Sequence, residues 1–304
     1  MIRPHRYIIT CLALVLFALA GCRHDSAALP AQPAKPPALR TVVSLVPSVT
    51  ETLFALGVGD RVVGRSRYCL YPPAALALPV VGDALNVDLE RLLVLKPDLI
   101  VFHTRVQSAD RLTAAGIRPL APHIETVDDV YAVIDLLGRE LGVEPAAKTL
   151  TARLTAELAA VREAASGTDP VATLITFPDT IGGGAEIRAV GRGTFLDQML
   201  TLAGGRNVVS TDSYHAASIE TVVTWQPEVI IISAPGDIDP GQSDEHYRAA
   251  WSRWQSIPAV KSGHVYVLRQ PYLTMPGPRM GEAARLLLAT LHPDRAAKLE
   301  NAAK

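Results

Sequence analysis

The chain has 304 residues, of which 49% are hydrophobic, and its formal net charge is −1 at pH 7. This balance argues against a nucleic-acid-binding protein, which would need a basic patch or stripe. The length is sufficient for a large core and for two domains.

The N-terminal residues have the pattern of a signal peptide. A basic start is followed by an apolar run at residues 8–20, which is short for a membrane span. The sequence LAGC at residues 19–22 resembles a lipobox, which implies cleavage before Cys22 and attachment of lipid to its thiol. An ordinary signal peptide with an incidental cysteine is the alternative. We predict a lipoprotein signal peptide at residues 1–21, and a lipidated cysteine with a proline-rich tether at residues 22–39.

The cysteine content agrees with an extracytoplasmic protein that has no disulfide. Cys11 would leave with the signal peptide and Cys22 would carry the lipid, so only Cys69 remains in the mature domain. A domain of this size can be stabilised by its core alone. Two lone cysteines also cannot form a C-x-x-C zinc site.

After the tether, strand and helix patterns alternate. The β-branched run at residues 41–46 predicts a buried strand, and a predicted helix at 49–56 ends at two glycines. The same criteria predict a strand at 61–64, a helix at 88–96, a strand at 98–102 and a further strand within LTAAGIRPLAP. Alternating strands and helices favour a parallel sheet covered by helices on both faces.

The middle of the chain is predicted to be helical. Residues 126–141 have apolar side chains at helical spacing, and Pro145 begins a second helix that reaches about residue 165. At about 1.5 Å per residue this second helix would be about 30 Å long, the width of a small domain. A strand at 171–177 then restarts the α/β pattern.

These patterns define the predicted fold class, an α/β protein of two lobes, each a mainly parallel sheet flanked by helices. The lobes are residues 40–143 and 168–304, and one long rigid helix at 144–167 joins them. The glycine-rich segment IGGGAEIRAVGRG lacks the G-x-G-x-x-G pattern of a dinucleotide site, so we predict a β-turn and cleft loop there. Its Gly191 and Gly193 would allow close backbone approach before the next helix.

One segment of the first lobe recurs in the second. DLERLLVLKPDLIVF at residues 88–102 and SIETVVTWQPEVIII at residues 218–232 share an N-cap residue, a glutamate two residues later, a proline and an apolar strand. A match in all four features indicates internal duplication with a whole lobe as its period.

The repeated glutamates are Glu90 and Glu220, and two interpretations are open. Each would lie in the first turn of its helix, where the helix dipole stabilises an acid by about 0.3–1 kcal/mol. The reciprocal capping box uses the third residue after the cap, which is Arg91 or Thr221, so the glutamates are free to point outward. Two acidic side chains, one on each lobe, would suit docking on a two-fold partner with basic pockets.

The chain resembles the periplasmic-type substrate-binding proteins of ABC importers, in the group whose two lobes are joined by one long helix. The resemblance lies in VVSLVPSVTETLFALGVGDRVVG, SRYCLYPP, NVDLERLLVLKPDLIVF, LAGGRNVV, SIETVVTWQPEVIII and PGPR, which span nearly the whole mature chain in this order. It is strongest to cobalamin-binding members, with ferric-siderophore and haem binders as near relatives. It implies a monomeric, lipid-anchored transport protein without a resident cofactor, which delivers a corrinoid to a permease dimer. The permease arginines would pair with Glu90 and Glu220.

The resemblance also implies a ligand site in the cleft between the lobes, where strand ends converge. Flat aromatic side chains would suit a corrin or porphyrin face. We expect three tyrosines and two neighbouring polar residues to contribute: Tyr68, Tyr214, Tyr272, Ser48 and His215. Each tyrosine could instead belong to the core or the surface. Members commonly have an aromatic six residues before the docking glutamate; the second lobe has Tyr214 there, but the first has Ala84, which leaves the ligand open.

Other functions are compatible with the sequence. A ferric siderophore is often anionic and would need cationic groups, for which Arg67, Arg188 and Arg279 are available. Haem would need an axial tyrosine or histidine, and His215 could be such a ligand or only a polar residue at the rim. An enzyme or a metal-ion binder on this fold is a further alternative. The sequence contains no G-x-S-x-G elbow and no H-x-H or H-x-x-x-H pair, so we predict a binding protein without catalytic or metal site.

Overall fold

The computed structural model describes residues 41–83, 86–103, 109–178, 186–236 and 242–302. The predicted signal peptide, Cys22, the proline-rich tether and Ala84 lie outside these residues. Within them, no helix combines the length and the apolar character that crossing a lipid bilayer requires.

The first lobe contains a four-stranded sheet in which every pairing is parallel. Its order is β2-β1-β3-β4, and its strands are Val42–Ser44 (β1), Val62–Arg65 (β2), Leu99–Val101 (β3) and Arg118–Leu120 (β4). All residues of β1 and β3 are buried, as expected for the central strands of a parallel sheet covered on both faces. The strands predicted for this lobe are confirmed, with shifts of a few residues at their ends.

Helices flank this sheet. They are Pro47–Ala55 (α1), Leu89–Leu95 (α2), Ala109–Ala114 (α3) and Val127–Leu141 (α4), with short 3₁₀ turns at Gly59–Arg61 and Pro73–Ala77. The amphipathic α4 begins with a complete capping box. The Thr126 hydroxyl accepts the N–H of Asp129 at 3.2 Å, and the Asp129 carboxylate accepts the N–H of Thr126 at 2.9 Å.

The long helix predicted between the lobes is α5, at Glu144–Ala164. Pro145 lies in its first turn, where the missing N–H would have no helical partner. Its buried leucines form one stripe, and α4 packs against this helix. The two helices approach closely at Gly138, where an added Cβ would lie 2.6 Å from the Cβ of Ala147.

The second lobe contains a six-stranded mixed sheet of order β10-β9-β5-β6-β8, in which β7 also pairs with β5. The strands are Val171–Thr176 (β5), Ile187–Val190 (β6), Gly205–Asn207 (β7), Tyr214–Ala217 (β8), Val229–Ser233 (β9) and Val265–Leu268 (β10). The pairings among β5, β7, β9 and β10 are parallel. The β5–β6 and β6–β8 pairings are antiparallel.

One local prediction for this sheet is wrong in part. The glycine-rich segment predicted as a turn and loop contains β6, because residues 187–190 pair along their length with β8. Residues 181–185 of that segment lie outside the described residues. The prediction of close approach is confirmed at Gly191, where an added Cβ would lie 2.1 Å from the carbonyl oxygen of Ser213. Gly193 has open space and instead has a φ of 74°, which favours glycine.

The helices of the second lobe are Phe195–Leu202 (α6), Ile219–Trp225 (α7), Asp244–Trp251 (α8), Pro258–Lys261 (α9), Met280–Leu291 (α10) and Pro293–Ala302 (α11), with a 3₁₀ turn at Pro271–Thr274. The α10 helix packs against both α6 and the long helix α5. An added Cβ at Gly281 would lie 2.0 Å from Oε2 of Glu157, so glycine permits this contact. One apolar cluster therefore includes residues of both sheets and of α5, which binds the lobes through a shared core.

Candidate ligand cleft and docking surface

A cavity of about 270 Å³ lies between the two sheets' loops. The first lobe contributes residues that follow β1, β3 and β4, which are residues 46–48, His103, Pro122, Ile124 and Glu125. The second lobe contributes Tyr214 at the start of β8 and residues 274–276 at the end of the last 3₁₀ turn. Because parallel strands end at one edge of a sheet, the loops after β1, β3 and β4 meet there. The cavity therefore lies in the kind of cleft that the sequence predicts.

Two of the predicted ligand residues, Ser48 and Tyr214, line this cavity from opposite lobes. Tyr214 is 51% exposed, and its ring centroid lies 5.8 Å from that of Phe177. Ser48 lies in the first turn of α1, close to Gly277, where an added Cβ would be 3.1 Å from the serine Cβ. The PGPR segment of the second lobe thus packs directly against α1 of the first.

Burial raises the pKa of the Tyr214 phenol, and the neighbouring carboxylate of Glu125 raises it further. Arg188 acts in the opposite direction without cancelling the rise. Tyr214 therefore offers the cavity a neutral hydroxyl and one face of its ring, rather than a phenolate.

The other three predicted ligand residues do not line the cavity. His215 follows Tyr214 in β8, and successive side chains of a strand point to opposite faces; its ring centroid lies 6.3 Å from that of Trp225. Tyr68, in the loop after β2, is 60% exposed. Tyr272 lies in the 3₁₀ turn after β10, half-buried beside Arg279.

An ion pair connects the lobes one helical turn beyond Ser48. The Arg279 guanidinium donates through Nε to Oε2 of Glu51 at 2.8 Å and through Nη2 to Oε1 at 2.5 Å. Its central carbon lies 4.0 Å from the ring centroid of Tyr71 and 5.1 Å from that of Tyr272. Tyr272 therefore contacts the cation that joins the lobes.

Sequence reasoning missed two polar residues of the cavity, His103 and Glu125. His103 is the second residue after β3, and a histidine at the carboxyl end of a parallel strand is a signal that the sequence does contain. Glu125 has no local signal of this kind. Its position depends on a contact between lobes, in which its carbonyl accepts the N–H of Phe195 at 2.9 Å.

The described lining of the cavity has an acid and a histidine but no arginine or lysine. Among the residues that the structure describes, no group of three or more His, Cys, Asp or Glu side chains could hold a metal ion. This charge pattern suits a ligand that does not depend on cationic partners.

The three arginines available to an anionic ligand already contact other side chains. Arg67 pairs with Asp83 at 3.3 Å, and Arg279 is held by the glutamate of α1. The guanidinium carbon of Arg188 lies 4.7 Å from the ring centroid of Phe177. An anionic ligand would have to displace these contacts.

A second cavity, of about 700 Å³, lies between α4, α5 and α6. Two of its polar residues already have partners: Gln198 accepts the N–H of Val127 at 2.8 Å, and Asp197 accepts from the side-chain amide of Asn207 at 2.9 Å. These contacts fix the helices to their neighbours. Polar loop residues of both lobes converge at the smaller cavity.

The helices α2 and α7 carry the predicted docking glutamates and repeat one construction. Asp88 and Ser218 each accept the backbone N–H three residues later, at 3.0 and 3.3 Å, so both predicted N-caps are confirmed. Both helices end at a non-glycine residue in the left-handed region, Lys96 with φ 44° and Gln226 with φ 47°. This conformation is uncommon outside glycine, so its presence at both equivalent positions supports the duplication.

The duplication extends to the acid after each proline. Asp98 accepts the N–H of Thr41 at 2.9 Å, and Glu228 accepts the N–H of Ala172 at 3.0 Å. Each acid therefore ties the entrance of its own strand, β3 or β9, to the beginning of the neighbouring central strand, β1 or β5.

Glu90 and Glu220 are both exposed but have different surroundings. A hydrogen bond from the Ser218 hydroxyl lowers the pKa of Glu220, and the backbone N–H of Glu220 adds to this effect. Glu220 is thus partly engaged by its own helix start, which the capping-box argument did not foresee. The Glu90 carboxylate makes no hydrogen bond or ion pair with any residue that the structure describes.

Comparison with known proteins agrees with this architecture. Residues 42–272 match the periplasmic binding protein family. Over 264 residues the chain is 29% identical to an uncharacterised ABC transporter substrate-binding lipoprotein of Bacillus subtilis (strain 168), covering 84% of this chain and 81% of the relative.

Two solved structures extend the comparison. The periplasmic vitamin B12-binding protein of Vibrio cholerae is 26% identical, with a TM-score of 0.68, and the match covers 86% of this chain and 98% of that one. A periplasmic haem-binding protein in complex with two haems is 28% identical, with a TM-score of 0.71, covering 85% and 98%. Both similarities extend over at least 85% of this chain, so the predicted fold class is confirmed.

Proposed function

This chain belongs to the periplasmic binding protein family, the substrate-binding components of ABC transporters, and we propose that its ligand is cobalamin or a related corrinoid. The observation that carries this proposal is the cavity lined by Tyr214, Ser48 and His103, whose described lining contains no arginine or lysine. The periphery of a corrinoid carries mainly amides, whereas haem carries carboxylates. A corrinoid therefore needs ring contacts and hydrogen bonds more than cations.

The size of the cavity bears on how a corrinoid would enter. At about 270 Å³ it is near the lower end of ligand pockets, which typically have about 300–1,000 Å³. We infer that the ligand inserts one edge between Ser48 and Tyr214 and keeps the rest in the mouth of the cleft. The helix α5 packs on elements of both lobes, so closure around the ligand is expected to be modest.

Haem is the second candidate, because His103 lines the cavity and an imidazole can be an axial ligand to iron. Tyr214 is less suited to that role, since burial and Glu125 raise its pKa and oppose formation of a phenolate. The carboxylates of haem, like those of many ferric siderophores, would meet Glu125 rather than a cation in the described lining. These charges favour the corrinoid.

A titration of the purified mature protein with cyanocobalamin, haemin and a ferric catecholate tests this proposal. Calorimetry should give the tightest binding for cyanocobalamin, by at least about tenfold, which corresponds to about 1.4 kcal/mol. Tighter binding of haemin, with an absorption spectrum that changes in His103→Ala, would transfer the assignment to haem.

For delivery, we propose that Glu90 and Glu220 dock on two basic pockets of a permease dimer while lipid on Cys22 holds the protein at the membrane surface. The support for this proposal is that both glutamates are exposed and occupy equivalent positions, Glu90 on α2 and Glu220 on α7. Exchange of both glutamates for alanine should abolish uptake and leave ligand affinity unchanged. If affinity also falls, these residues belong to the pocket or the fold.

The lipid anchor has its own test. Cys22→Ser should release the protein from the membrane fraction.

A further inference from the structure

We propose that the two lobes dock unequally on the permease: α2 contributes an apolar contact beside its glutamate, whereas α7 contributes an ionic contact alone. The apolar contact consists of Leu93 and Val94, which together with Glu90 form what we call the α2 step. This inference rests on the proposed docking through Glu90 and Glu220.

The α2 step combines large exposed apolar side chains with an unpaired carboxylate. Leu93 is 50% exposed and Val94 is 80% exposed, the highest value among the large apolar side chains that the structure describes as exposed. They follow Glu90 by three and four residues, the spacings at which side chains adjoin on a helix surface. Leu92, directly before the exposed pair, is fully buried and anchors the helix in the first lobe. The exposed pair is thus held on a fixed element.

The second lobe provides an internal comparison, since residues 219–225 correspond one to one with residues 89–95. Val223, at the position of Leu93, is half-buried. Thr224, at the position of Val94, donates its hydroxyl to the carbonyl of Glu220 at 3.0 Å. The surface of α7 therefore lacks the large exposed apolar pair of α2.

The permease is a better occupant of the α2 step than a lipid surface or a second copy of this chain. Glu90 lies beside the apolar pair and would be repelled by anionic lipid headgroups, and equally by Glu90 of another copy. A permease cation that pairs with Glu90 would bring a protein surface over Leu93 and Val94 and exclude water from them. A two-fold permease presents the same pocket twice, so the inequality originates in this chain.

Docking affinity can be measured with the permease–ATPase complex in lipid nanodiscs and the mature chain carrying Cys22→Ser, so that no lipid anchors it. The double variant Leu93→Ser/Val94→Ser should weaken docking at least about tenfold, and the loss should persist in high salt because it is apolar. The matched variant of the second lobe, Val223→Ser/Thr224→Ser, should remain within about twofold. Thermal unfolding verifies that both variants fold.

The outcomes distinguish this inference from the docking proposal on which it rests. If Glu90→Ala and Glu220→Ala weaken docking but Leu93→Ser/Val94→Ser does not, the α2 step is refuted and the ionic docking stands. If neither glutamate variant weakens docking, the docking proposal itself fails. The mature chain with Cys22→Ser is also tested on phosphatidylglycerol nanodiscs that lack the permease. If this protein binds them and its Leu93→Ser/Val94→Ser variant does not, the occupant of the α2 step is lipid and the inference is overturned.

Discussion

Arg279 donates two hydrogen bonds to the carboxylate of Glu51, a residue 228 positions earlier in the chain, and so joins α1 of the first lobe to the segment before α10 of the second. The Glu51 side chain is 4% exposed and the Arg279 side chain 13%. The same guanidinium lies over Tyr71 of the first lobe and Tyr272 of the second. One partly buried cation therefore contacts a carboxylate and two aromatic rings where the lobes meet.

Removal of this cation should destabilise the protein strongly. Arg279→Ala would leave Glu51 buried without its partner, and breaking a buried pair in this way typically costs about 3–5 kcal/mol. Urea unfolding of the mature chain measures the loss. Arg285→Ala is the matched control, since Arg285 is 42% exposed and lies 3.8 Å from Glu157, and its loss should be below about 1 kcal/mol. Similar losses in both variants would show that the inter-lobe pair has no special role.

Titration of Glu51 should give the stability a specific pH dependence. Burial raises the pKa of Glu51 above its ordinary value of 4.5, and Arg279 only partly offsets the rise. The folded protein therefore binds this proton at a higher pH than the unfolded chain does. Between 4.5 and the raised value, the contribution of Glu51 to the free energy of unfolding falls as pH rises.

The variant Glu51→Gln isolates this effect because it removes the titrating group and keeps the side-chain shape. Its free energy of unfolding should rise more steeply with pH than that of the wild type across the window that begins at 4.5. Urea unfolding at a series of mildly acidic pH values provides the comparison. A shallower rise in Glu51→Gln would mean that Arg279, rather than burial, dominates the titration.

The elements of the fold could be predicted where their signals are local. The proline in the first turn of α5 and the N-caps Asp88 and Ser218 act within one helical turn, and the structure confirms them. The strand β6 could not be predicted in this way. Its conformation depends on pairing with β8, which begins more than twenty residues later.

The site was predictable only in part, for the same reason. Tyr214 could be found because it has a fixed spacing to a recognisable glutamate, and Ser48 because it follows the first strand. Glu51 and Arg279 lie in segments that were both recognised, but their pairing depends on how the lobes meet. Contacts between lobes leave no periodicity in a single sequence.

The acids that follow the repeated prolines should both contribute to stability. Asp98→Ala would deprive the Thr41 N–H and hydroxyl of their acceptor, and Glu228→Ala would do the same to the Ala172 N–H. Both acids are exposed, so water can partly replace the lost acceptor, and each variant should lose about 0.5–1.5 kcal/mol, the net value of a typical hydrogen bond. Glu163→Ala, on the exposed side of α5, should change it by less than about 0.5 kcal/mol. Urea unfolding distinguishes these cases, and a loss in only one of the two acids would mean that the repeat is not energetically equivalent.

Tyr214 and His215 are neighbours in β8 whose side chains point to opposite faces, so they form a matched pair for testing the cleft. Tyr214→Ala removes the ring from the cavity and should weaken cyanocobalamin binding by about 10–100-fold, since a well-placed aromatic contact contributes about 1.4–2.8 kcal/mol. Tyr214→Phe keeps the ring and should retain most of the affinity. His215→Ala should stay within about threefold, because its ring lies beside Trp225 rather than in the cavity. If calorimetry finds equal losses for both alanine variants, the histidine contacts the ligand, and β8 must adopt another register or twist in the loaded protein.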